Sequence, residues 1–118
     1  MTRWTHRDGL TSTDVIGRLY QLGIATNRDR VAEVSNALFH PSEVRSSTPG
    51  GHGHRRYNEV QCRTVVNAFV ARDRLGLSLA QLHALLAEPS AVALIRGRHR
   101  LGEADLSALH QTIVGVCA

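Results

Sequence analysis

Lysine is absent from this 118-residue chain, and all 14 of its basic side chains are arginine. The planar arginine fork grips phosphate and guanine edges in a way the lysine ammonium cannot. A GC-rich genome also favours arginine codons, but the formal charge of +4 and pI of about 10.0 favour an acidic partner in either case. Cysteine is scarce. Cys62 and Cys117 stand far apart with no C-x-x-C, so neither a zinc framework nor a thioredoxin-like motif is indicated. Two reduced thiols in the cytosol are expected. No apolar run approaches the roughly 20 residues of a membrane span. Met1-Thr2-Arg3-Trp4 is too polar to open a signal peptide, and a cytoplasmic location is expected. Catalytic signatures are missing as well. There is no nucleophile elbow, no phosphate loop and no pair of carboxylates in an apolar setting. Glu33, Glu43 and Glu59 have no evident partners, and Asp73 between Arg72 and Arg74 reads as a solvated face. No enzymatic activity and no cofactor are expected.

What is present suffices for one globular domain. The apolar fraction is 42%, near the globular average, which argues against disorder. Residues 1–10 are polar and basic apart from Trp4 and Leu10, and read as a flexible arm. Thr11 to Leu22 reads as a helix with Thr11 or Thr13 as cap and Asp14 in its first turn. Its apolar face is Val15, Ile16, Leu19 and Leu22, and Gly23 ends it. Thr26 is the expected cap of a second helix in which Val31, Val34, Ala37 and Leu38 repeat at helical spacing, up to about Phe39. Helix, turn and helix in this order form the helix-turn-helix layout. Asn27, Arg28 and Arg30 lie near the start of the second helix, where that motif reaches base edges. Arginine suits guanine and asparagine suits adenine. An ordinary helical hairpin with solvated charges has the same pattern.

From His40 to Tyr57 the character changes. Ser42 to Ser46 and Gly53 to Tyr57 read as two short strands around the turn Thr48-Pro49-Gly50-Gly51. Such a hairpin hung on a helix-turn-helix is a wing. Arg45, Arg55 and Arg56 on its arms would follow the phosphate backbone. His52 and His54 form an H-x-H there, read as hydrogen-bond donors near phosphate rather than as metal ligands; no metal site is expected. Asn58 with Gln61 caps a helix whose apolar face is Cys62, Val65, Val66, Phe69 and Val70, with Arg63, Arg72 and Arg74 mostly outward. Gly76 closes it. Ser78 to Gln81 is a full capping box for the next helix. Ser90 to Ile95 is short and apolar, and Arg96 to Arg100 is a basic turn. Glu103 to Val116 reads as a last helix with Leu106, Leu109, Ile113 and Val116 in a stripe, able to cover the core, pair two copies or bind another protein.

Gly53-His54-Arg55-Arg56-Tyr57 and Leu75-Gly76-Leu77-Ser78-Leu79 carry a resemblance. Their types and spacing are similar to the wing and following helical turn of the MerR family of bacterial transcription regulators, over about 35 residues from Gly51 to Leu86. The resemblance implies a winged helix-turn-helix head with Arg55 or Arg56, and Tyr57, on phosphates. The family's aromatic pair in the second helix is missing: Arg30-Val31-Ala32-Glu33-Val34-Ser35 stands there. The segment after Leu86 is also too short for the usual coiled coil, so a minimal or phage excisionase-like member fits better. The expectation is a mainly α protein, with a winged helix-turn-helix over residues 11–87 and a dimerisation or partner-binding segment over 88–118. Its expected function is sequence-specific binding of double-stranded DNA by a homodimeric transcriptional regulator, in a bacterial nucleoid or phage-infected cell. The DNA-contacting residues would be Thr26, Asn27, Arg28, Arg30, Arg45, His54, Arg55, Arg56 and Tyr57. The alternatives are a module that contacts RNA polymerase or a sigma factor, and an excisionase-like architectural protein.

Overall fold

The computed structural model describes residues 9–44 and 55–117. These form seven helices: α1 (Ser12–Gln21), α2 (Arg28–Leu38), α3 (Pro41–Val44), α4 (Glu59–Leu75), α5 (Leu79–Leu86), α6 (Pro89–Gly97) and α7 (Glu103–Cys117). Local chemistry accounts for most of their starts. Thr11 and Asp14 exchange side-chain and backbone hydrogen bonds across the first turn of α1. Asn58 and Gln61 do the same for α4, and Ser78 and Gln81 for α5. Each box occupies two backbone N–H groups that a helix start leaves open. The cap of α2 is Asn27, whose Oδ1 accepts from Arg30 N at 3.0 Å, and not Thr26. Gly76 ends α4 in the left-handed region, with φ of 64°, where a side chain would be strained.

No strand or sheet occurs among the described residues, so the expected β-hairpin wing is corrected. The segment from Ser42, expected as a strand, begins instead as the helical turn α3. Proline has no N–H to lose at a helix start and its φ is already helical. Glu43 reaches back to the His40 N–H at 2.8 Å, and the Ser42 N–H donates to His40 Nδ1. Three residues thus satisfy the open turn that an extended chain would leave without partners. The expected turn at Thr48 to Gly51, together with Arg45 and His54, lies outside the described residues. Tyr57 pairs with Leu10, in an isolated antiparallel bridge of two 2.8 Å backbone hydrogen bonds. Gly9 is required there: its φ is +72°, and a Cβ would stand 3.1 Å from the Tyr57 carbonyl oxygen.

One core runs from Val15 to Ile113, with α4 at its centre. The apolar face expected for α4 is too narrow. Cys62, Thr64, Val65, Val66, Asn67, Ala68, Phe69 and Ala71 are all buried, because α1 and α2 pack on α4 from one side and α6 and α7 from another. α5 closes the group against α6, α7 and α2. The α6 helix takes in Arg96 and Gly97, so the basic turn expected from Arg96 begins later. Buried Asn67 holds the end of α6 in place: its Nδ2 donates to the Ile95 and Arg98 carbonyls at 3.1 and 2.9 Å. Leu106, Leu109 and Ile113 of α7 are 7%, 0% and 4% exposed, facing α4, α5 and α6; of the expected pairing stripe only Val116 is open to solvent. Residues 88–117 are therefore part of the same core as α1 and α2. No described helix is long and apolar enough to cross a membrane.

Candidate nucleic-acid interface

The first two helices present one open face. Val31, Val34 and Ser35 turn α2 inward, while Arg28, Asp29, Arg30, Glu33 and Asn36 stay exposed. Arg28, Ala32 and Asn36 are spaced by four residues and share a face of the helix. The Leu10–Tyr57 bridge brings the chain before α4 against that face. Arg55 Nη2 donates to Asn36 Oδ1 at 2.7 Å, across 19 residues of sequence. The Arg56 N–H donates to the Val44 carbonyl, which ties the same segment to the end of α3. A shallow cleft results, lined by Thr11 to Thr13 at the start of α1, by Arg28, Asp29 and Ala32, and by Arg55 and Arg56. Among the described lining residues three guanidinium groups stand against one carboxylate.

The expected contact residues are divided by this geometry. Arg28, Arg55 and Arg56 are brought together. Arg30 points elsewhere, into a separate cleft with Thr26, Arg72 and Asp73. Asn27 has its side-chain oxygen occupied by the cap, so a bidentate grip on adenine would cost α2 its start. Thr26 Oγ1 is buried without a partner among the described residues. Tyr57 is 1% exposed and its hydroxyl is also buried, so it is a core residue rather than a phosphate contact. Asn36 and the start of α1 were missed. The spacing of Asn36 from Arg28 was the available signal, but nothing local links Asn36 to Arg55.

The scaffold under this face is anchored by a two-pronged ion pair. Arg18 Nη1 and Nη2 of α1 donate to Glu59 Oε2 and Oε1 of α4 at 2.8 and 2.9 Å. That hydrogen-bonded pairing holds the Glu59 carboxyl below its ordinary range and raises the Arg18 guanidinium further. Burial pushes the Cys62 thiol up to about 11, so it is protonated at neutral pH and a poor nucleophile. No cluster of three or more metal-binding side chains occurs among the described residues. No family model, curated protein or solved structure matches this chain.

Proposed function

We infer that the chain binds double-stranded DNA through the face carrying Arg28, Arg55 and Arg56. The observation that carries this reading is the convergence of these three arginines beside the exposed stripe of a helix-turn-helix. α2 would enter the major groove with Arg28 at base edges. Arg55, steadied by Asn36, and Arg56 would lie on the adjacent phosphates. The basic balance of the whole chain supports the same reading. Regulation of transcription is the role such a head would serve.

The test is selection of bound duplexes from random DNA, followed by binding measured from about 50 to about 200 mM salt. Two arginine–phosphate contacts, those of Arg55 and Arg56, give a log–log slope of about −2, at roughly −0.9 for each contact. A flat salt response, or no binding at low salt, removes the reading. Sizing the complex reports how many copies bind.

A further inference from the structure

A second cleft, of about 400 Å3, lies between the end of α1, the flank of α4 and the loop joining α6 to α7. Its volume is in the range of small-molecule sites. Leu22, Ile24, Val66, Val70 and Leu101 give it apolar walls, and Leu22 remains 50% exposed. The polar groups around it are unequal in sign. Arg18, Arg63, Arg74 and Arg100 face the carboxylates of Glu59 and Asp73, so there are four guanidinium groups against two acids. Glu59 is already taken by both prongs of Arg18. Arg74 has a loose, exposed contact with Glu103 at 3.5 Å. Arg63 donates its Nε to the Arg98 carbonyl, and neither Arg63 nor Arg100 has an ion-pair partner among the described residues.

We propose that this cleft binds a small organic anion with an apolar body, such as a medium-chain or aromatic carboxylate. The body lies along Leu22, Ile24, Val66 and Val70. The acid group meets Arg63 and Arg100 at the rim. Charge complementarity selects this occupant over a neutral one: an uncharged apolar molecule would leave the guanidinium excess unanswered, and a cation would be repelled. A bound anion would bridge the turn between α1 and α2 to the loop after α6. The site shares no lining residue with the DNA face, and the proposal is independent of DNA binding.

The probe is the aromatic sulfonate 1-anilinonaphthalene-8-sulfonate, with N-phenyl-1-naphthylamine as the same apolar body lacking the acid group. Fluorescence titration of the full chain should give one site for the sulfonate and at least about tenfold weaker binding of the amine. Decanoate should displace the sulfonate and decanol should not. Arg100→Ala, on the exposed loop, should weaken the sulfonate by about tenfold, the loss expected for one charge-assisted hydrogen bond. Val70→Phe, which fills the cleft, should abolish the signal while the thermal melt remains cooperative. Equal binding of sulfonate and amine overturns the proposal. So does an Arg100→Ala or a folded Val70→Phe protein that binds like the parent.

Discussion

The two arginine-lined clefts differ in what lies beneath the charges. At Arg28, Arg55 and Arg56 the lining is short and polar, with Ala32 and the threonines of the α1 start. At Arg63 and Arg100 it is Leu22, Ile24, Val66, Val70 and Leu101. Charge on a shallow polar surface favours an extended, solvated polyanion, whose grip is set by counterion release. Charge around an apolar hollow favours a compact ligand that gains from leaving water. On the two proposals, the same side chain would serve two uses on one small protein, divided by its neighbours. The two clefts lie toward opposite ends of α1, one at Thr11 to Thr13 and the other at Arg18, Gln21 and Leu22.

Breaking that core should have the largest effect. Leu109→Ala removes a fully buried side chain of α7 and should destabilise the fold by roughly 2–5 kcal/mol in chemical denaturation. Were Leu109 instead part of a pairing surface, the variant would change oligomer size and leave the stability of each chain intact. Asn67→Ala comes next. It strips donors from the Ile95 and Arg98 carbonyls and should cost about 1–3 kcal/mol, loosening the end of α6. Hydrogen exchange at α6 and the following loop should rise before that at α1.

Arg28→Ala and Arg56→Ala sharpen the reading of the polar cleft. Arg28→Ala should cost about 1–3 kcal/mol on selected duplexes and relax choice at particular base pairs. Arg56→Ala should weaken all duplexes alike and reduce the salt slope by about 1. Identical behaviour of the two would erase the distinction between groove and backbone contacts. A smaller effect is expected from acid. The lowered carboxyl of Glu59 stabilises the fold fully above its unfolded value, about 4.3, and that contribution is lost as pH falls through the folded value. Because the pair is partly exposed, Glu59→Gln should remove less than about 1 kcal/mol at neutral pH and flatten the acid limb of the melting curve. The smallest effect is expected from Tyr57→Phe. It deletes a buried hydroxyl with no partner among the described residues, so stability should change by less than about 1 kcal/mol and DNA affinity should not change. A loss of DNA affinity would put the Tyr57 hydroxyl on phosphate after all.

Helix starts were legible in the chain at Asn58 and Ser78, and at α1, where Thr11 rather than Thr13 is the cap, whereas at α2 the cap is Asn27 and not Thr26. His40-Pro41-Ser42-Glu43 carries a similar signal, but it was overshadowed by the glycine-rich stretch that follows. The turn at Thr48 to Gly51 invited a hairpin, and the pairing of Tyr57 with Leu10 is 47 residues distant and has no local signature. The candidate site was half legible. Arg28, Arg55 and Arg56 stand out in the sequence, yet the loss of Tyr57 to the core and the capping duty of Asn27 depend on which groups are nearby.

Local chain chemistry therefore decided the caps, the glycine stops and the apolar periodicity, because a helix turn is closed by residues only three or four positions apart. Long-range packing decided the rest. It buried α4 on nearly every side, turned the stripe of α7 into core and set Arg55 against Asn36. These outcomes follow from the match of apolar surfaces between distant segments, and no short stretch of the chain carries that match alone.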